Sequence, residues 1–155
     1  MDQPRLRRAW PALVPKLVID ASVTAAWCFP DERTDYTDAV LRSVATTIDP
    51  IAPTLWAYEI HNILLMSCKR GRIGKEDIKR LLRFLNELDV QLLAPVSHES
   101  LYHLAEAQAL TVYDAAYLDL ALREGTPIAT LDKELRNAAR KSGVPLFEVA
   151  QRTEN

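Results

Sequence analysis

The 155-residue sequence is short of the residues that build the commonest nucleotide and redox sites. It has four glycines, Gly71, Gly74, Gly125 and Gly143, and no two stand in a G-x-G or G-x-x-x-x-G-K pattern. Glycine-rich dinucleotide fingerprints and phosphate-cradling loops are therefore excluded. Its two cysteines, Cys28 and Cys68, are far apart, each inside a predicted helix. With no CxxC pair, a zinc knuckle or dithiol redox motif is excluded, and buried structural thiols in a reducing cytosol are expected. No apolar run approaches the ~18 residues of a membrane span. The first sixteen residues carry Arg5, Arg7, Arg8 and prolines but no apolar signal-peptide core, so a cytoplasmic location is expected. Nor is there an excess of positive charge. With 21 acids against 19 Lys and Arg the net charge is −2, a balance that argues against a nucleic-acid partner.

What is present is the composition of one globular domain, 48% hydrophobic and 26% charged. A domain of this size buries roughly two-thirds of its unfolded surface and needs no disulfide. The expected layout is an N-terminal arm over 1–16, one domain over 17–150, and a C-terminal tail over 151–155. Apolar runs and helical periodicity predict strands over 16–20, 48–52, 90–94, 127–131 and 144–149. Helices are predicted over 21–28, 33–46, 54–70, 75–88, 97–110, 112–124 and 133–142. Strands alternating with helices imply a parallel sheet covered on both faces, with the 54–70 and 75–88 helices as a hairpin beside it. In such sheets function is expected at the carboxyl ends of the strands.

Acids stand there. Two predicted strands run into aspartate, at Val18-Ile19-Asp20 and Ala129-Thr130-Leu131-Asp132. Asp114 opens an apolar helix in Tyr113-Asp114-Ala115-Ala116-Tyr117, and Glu59 lies beside the Trp56, Ile60 and Ile63 stripe of its helix. Taken singly, Asp20 and Asp132 suit helix N-caps, and Thr111-x-x-Asp114 suits a loose capping box. Capping does not explain Glu59, which is mid-helix. Parallel topology brings both strand ends and the start of the 112–124 helix to one edge. Two unit charges ~5 Å apart repel by about 3 kcal/mol at an effective dielectric near 20, so four such acids call for a cation between them. Ligation by oxygen alone, without Cys or His, points to Mg²⁺ or Mn²⁺ rather than zinc. The three histidines, His61, His98 and His103, do not suit a metal site by their helical spacing.

These blocks resemble the PIN-domain nucleases, in particular the VapC-type toxins of toxin–antitoxin pairs. Val18-Ile19-Asp20-Ala21-Ser22-Val23 is similar to the family's opening strand and first acid. Glu59 with Asn62 and Leu65 is similar to its second block, Tyr113-Asp114-Ala115-Ala116-Tyr117 to its third, and Ala129-Thr130-Leu131-Asp132 to its fourth. The resemblance spans about Val18 to Val149. It implies a three-layer α/β/α sandwich with a parallel five-stranded sheet and Mg²⁺-dependent RNA cleavage. It also implies a dimer and a small antitoxin that blocks the acidic pocket. Carried onto this chain, Asp20, Glu59, Asp114 and Asp132 are the metal-ligating and catalytic acids, with one or two ions left open. Ser22 or Thr130 binds the site through a hydroxyl. Glu134 is either an extra acid near the site or solvated surface. Asp119, where the family carries a small or apolar residue, is either an additional acid or a polar interface residue.

Two rival readings come with it. A haloacid-dehalogenase-like phosphatase also places an aspartate at its first strand end, but Asp20-Ala21-Ser22 lacks the second acid of its Asp-x-Asp motif. A catalytically silent PIN-like module would bind RNA or a protein instead. The basic residues are grouped, with Lys69, Arg70, Arg72, Lys75, Lys79, Arg80 and Arg83 in one run and Lys133, Arg136, Arg140 and Lys141 in another. They are either solvated helix faces or a phosphate track leading to the acids, with Lys69, Arg70, Arg72, Lys75 and Arg136 as the RNA contacts. Setting four acids aside for a metal turns the remaining charge positive, which is compatible with a nucleic-acid partner.

Overall fold

The computed structural model describes residues 14–149. The expected arm up to residue 13 and the expected tail over 151–155 lie outside the described residues. Elements follow in the order β1 (Lys16–Ile19), α1 (Ala21–Cys28), a 3₁₀ turn (Pro30–Glu32), α2 (Asp35–Thr46), β2 (Asp49–Pro53) and α3 (Leu55–Lys69). Then come α4 (Lys75–Glu87), β3 (Gln91–Leu93), α5 (His98–Gln108), α6 (Val112–Glu124), β4 (Ile128–Ala129) and α7 (Lys133–Lys141). Among the described residues no helix is long and apolar enough to cross a membrane.

The sheet is parallel throughout, in the order β3-β2-β1-β4. The step from β1 to β2 and on to β3 runs one way, and β3 to β4 runs back across the sheet. Right-handed crossovers therefore put α1–α4 on one face and α5–α7 on the other. The packing agrees: α6 lies on β1, β2 and β4 with α5 and α7 beside it, while α1 packs against α2 and α3. Three layers result, as expected. The sheet has four strands rather than five. Where a fifth was expected over 144–149, a single parallel bridge joins Ile128 to Leu146. β4 is two residues long: Ile128 N–H donates to the Pro145 carbonyl and Phe147 N–H to the Ile128 carbonyl. Pro145 has no N–H to extend the ladder on its earlier side, and beyond the bridge the Thr130 carbonyl accepts from Arg136 instead.

Past their exposed first residues, Lys16 and Asp49, the central strands are buried, with Leu17, Val18, Ile19 and Ile51 at 1% exposure or less. Strands covered on both faces must be apolar throughout, which is why β1 reads as an unbroken run. Two buried tryptophans tie the helices to one another. Trp56 of α3 donates its indole N–H to Thr24 Oγ1 of α1 at 3.1 Å, and Trp27 of α1 donates to the Thr37 carbonyl of α2 at 2.7 Å.

Helix ends follow local chemistry. Thr34 caps α2 in a capping box with Thr37, which moves the start of that helix two residues past the expected one. α6 stops at Gly125, which sits in the left-handed region at φ 60°. α5 ends the same way on Ala109, at φ 52°, where a side chain is strained. Gly125→Ala is expected to cost about 1 kcal/mol, lowering the melting temperature by roughly 3 °C. Ala109→Gly should raise it by a smaller amount, since added chain entropy in the unfolded state offsets part of the relief. Thermal melts followed by circular dichroism check both signs.

Candidate active site and metal centre

β1 and β4 are neighbours whose chains leave for opposite sides of the sheet, which makes their carboxyl ends the switch point of the fold. Asp20 follows β1 directly, and its backbone N–H donates to Ala129 O of β4 at 3.0 Å. It occupies the N-cap position of α1 yet makes no side-chain capping bond. Instead its Oδ2 accepts from the hydroxyls of Ser22 at 2.6 Å and Thr130 at 2.7 Å. Only 7% of Asp20 is exposed. A carboxylate this deep, with neutral donors and other acids as company, is costly when ionised.

Thr130 joins the two strand ends. Its hydroxyl donates to Asp20 and accepts the Asp132 backbone N–H at 3.0 Å. Ser22 closes the same corner by accepting the Leu131 N–H at 3.0 Å. Asp132 does cap its helix: Oδ1 accepts the Leu135 N–H at 2.8 Å at the start of α7. Thr111 caps α6 by accepting the Asp114 N–H at 3.1 Å, which sets Asp114 in the first turn. Glu59 projects half-buried from α3, and its Oε1 accepts from the Tyr117 hydroxyl of α6 at 2.7 Å.

The four acids are close enough for their charges to act on one another. Burial raises the Asp20 pKa, and the charge of Asp132 adds to it. Burial raises Glu59, with Asp20 and Asp114 adding to it. Asp114 is raised by burial and then by Asp132, Asp20 and Glu134. Burial pushes the Tyr117 phenol far up, and the neighbouring carboxylates push it further. Among the described residues no Lys or Arg forms an ion pair with any of the four.

That donor set, four carboxylates with no amine or thiol, has the chemistry a hard divalent cation requires. As placed, no three His, Cys, Asp or Glu side chains among the described residues close on one point as a finished metal site. Glu59 is held on Tyr117 and Asp132 on the Leu135 amide, so each carboxylate faces a donor of its own.

A pH dependence follows from the raised acids. Their folded pKa values lie above the unfolded ones, so the folded state binds protons more tightly. Their contribution to stability is complete below about pH 4 and is lost as pH rises through the raised folded values. Without divalent metal, melting temperature should fall from mildly acid to neutral pH, and Asp20→Asn should flatten that fall. Melts in a chelator across this range measure it.

The supporting residues fall into two groups. Ser22 and Thr130 are brought to Asp20, and Glu134 acts electrostatically on Asp114. Asp119 is half-buried on α6, and its charge is not among those acting on Asp20, Glu59 or Asp114.

The basic residues divide as well. Lys69, Arg70 and Lys75 are exposed around the α3–α4 turn. Arg72 is engaged elsewhere: it pairs with Asp31 at 2.9 Å and Glu32 at 2.8 Å and lies 3.9 Å over the Phe29 ring. Those contacts clamp the α3–α4 turn to the 3₁₀ turn. Arg136 supports the site from behind, donating to Thr130 O at 3.0 Å with its guanidinium 6.0 Å from the Tyr36 ring. Cys28 is buried and its thiol is pushed up to about 11, while Cys68 is half-buried; both are free. Tyr117 was legible only as part of its motif. Its role needed the α3–α6 distance, which no local pattern carries.

A family model described as the PIN domain matches residues 17–141. Ribonuclease VapC3 of Pyrobaculum aerophilum is 35% identical over 124 residues, covering 77% of this chain and 92% of that protein. The crystal structure of PAE2754 from Pyrobaculum aerophilum superposes with a TM-score of 0.62 at 24% identity, over 82% of this chain and 81% of that one. A domain of a functionally unknown protein from Methanocaldococcus jannaschii gives a TM-score of 0.50 at 17% identity, over 91% and 95% of the two chains. Both solved structures share the fold.

Proposed function

The chain belongs to the PIN-domain family, in its VapC-type branch, and we propose that it is a metal-dependent endoribonuclease that hydrolyses RNA phosphodiester bonds. The observation that carries this reading is Asp20: buried, not capping its helix, and coupled to three further acids at the sheet's switch point. Family membership sets the phosphatase reading aside.

Asp20, Glu59, Asp114 and Asp132 would hold Mg²⁺ or Mn²⁺. A divalent cation bound there supplies Lewis acidity, acidifying water and offsetting charge that builds on the phosphate. The chain's own residues do the rest. Ser22 and Thr130 fix the Asp20 carboxylate by two hydroxyl hydrogen bonds. Arg136 anchors Thr130 through its carbonyl, so the corner holding Asp20 and Asp132 is braced from α7. An oxygen of these four carboxylates left free of the cation would accept the proton of the attacking water. Glu134 adds an acid beside Asp114. Lys69, Arg70 and Lys75 contribute salt-dependent, sequence-blind contacts to RNA phosphates.

By the same reading the protein is the toxin of a two-gene pair, acts in the cytoplasm as a homodimer, and is inhibited by an antitoxin that covers the acids. The name of the 35%-identical relative, a VapC ribonuclease, supports the toxin part of this reading. The test is cleavage of RNA by purified protein freed of inhibitor, with and without Mg²⁺ or Mn²⁺. Metal-dependent products support the reading. No cleavage with either metal leaves a silent binding module in its place.

A further inference from the structure

Tyr117 is completely buried on α6, where a phenylalanine would fill the same space. A buried hydroxyl is costly without a partner, and this one donates to Glu59 Oε1 at 2.7 Å, reaching from α6 to α3. Glu59 accepts no other side-chain hydrogen bond among the described residues. Its carboxylate sits at the end of three rotatable bonds, and Tyr117 is the group that fixes it. Tyr117 stands one turn after Asp114, on the same face of α6. One helix thus supplies an acid of the site and the donor that holds another.

We propose that Tyr117 is a positioning residue whose hydroxyl presets Glu59 for a divalent cation shared with Asp20 and Asp114. The inference rests on the metal-site reading above. Groups that hydrogen-bond a metal ligand restrict it to its binding orientation, and losing one typically weakens metal affinity about 10–100-fold.

Mn²⁺ alone tests it. The free Mn²⁺ signal in electron paramagnetic resonance gives affinities for the full-length wild type, Tyr117→Phe, Glu59→Ala, their double variant and Asp20→Asn, with melts to check folding. Tyr117→Phe keeps the ring, so a packing role alone would leave affinity unchanged. The expected result is a loss of about tenfold in Tyr117→Phe, with no further loss when the same change is made in Glu59→Ala. Wild-type affinity in Tyr117→Phe, alongside a clear loss in Asp20→Asn, overturns the role of Tyr117 and leaves the metal site standing. An equal loss in the Glu59→Ala background also overturns it, since Tyr117 would then act elsewhere. Unchanged affinity in Asp20→Asn overturns the metal-site reading and this inference with it.

Discussion

Asp20→Asn is expected to remove RNA cleavage while leaving the fold in place. The asparagine carbonyl accepts the Ser22 and Thr130 hydroxyls as Oδ2 does now, so the substitution removes charge and little else. Because Asp20 makes no capping bond, helix α1 loses no cap. Removing a charge that stabilises the transition state costs on the order of a thousandfold, and loss of a cation ligand should cost at least that. Asp132→Asn should lose activity similarly and still cap α7, since asparagine caps about as well as aspartate. Single-turnover cleavage of a labelled RNA in Mg²⁺, beside thermal melts, separates activity from folding. Wild-type rates in either variant would remove that acid from the proposed machinery.

Asp114→Asn is expected to raise the melting temperature of the metal-free protein. Asp114 feels Asp132, Asp20 and Glu134 with no cation to balance them. Repulsion of about 3 kcal/mol for a pair ~5 Å apart is reduced by the water that reaches this half-buried side chain. A gain of roughly 1–2 kcal/mol remains, or about 3–6 °C for a domain of this size. Saturating Mg²⁺ should reverse the order, stabilising the wild type more than the variant because a ligand stabilises the state that binds it. The competing effect has the opposite sign. An acid in the first turn of α6 favours the helix dipole by about 0.3–1 kcal/mol. A lower melting temperature in metal-free Asp114→Asn would mean that this helix-end role outweighs repulsion.

Much of the fold was legible because its signals are local. β1 is an unbroken apolar run ending at Asp20, and all seven expected helices form within two residues of their expected bounds. The missing fifth strand was not legible. Of its apolar residues Val144 is buried while Val149 is 43% exposed, and Pro145 lacks the N–H that would continue the ladder on the earlier side of the Ile128–Leu146 bridge. At the site, single aspartates could not be told from helix caps. The structure separates them, since Asp132 caps and Asp20 does not. Arg72 shows the limit of reading charge runs: it lies within a basic stretch, yet its partners are Asp31 and Glu32, some forty residues earlier in the chain. Tyr117 shows the same for a polar contact, because its partner is fifty-eight residues away.

On the proposed reading, four carboxylates at the ends of β1 and β4 and on α3 and α6 form one divalent-cation site. Anomalous scattering from a crystal soaked in Mn²⁺ tests it most directly. A manganese peak ligated by oxygens of Asp20, Glu59, Asp114 and Asp132, one ion or two, is expected. Manganese bound elsewhere, or no peak among these four acids at saturating metal, would contradict it.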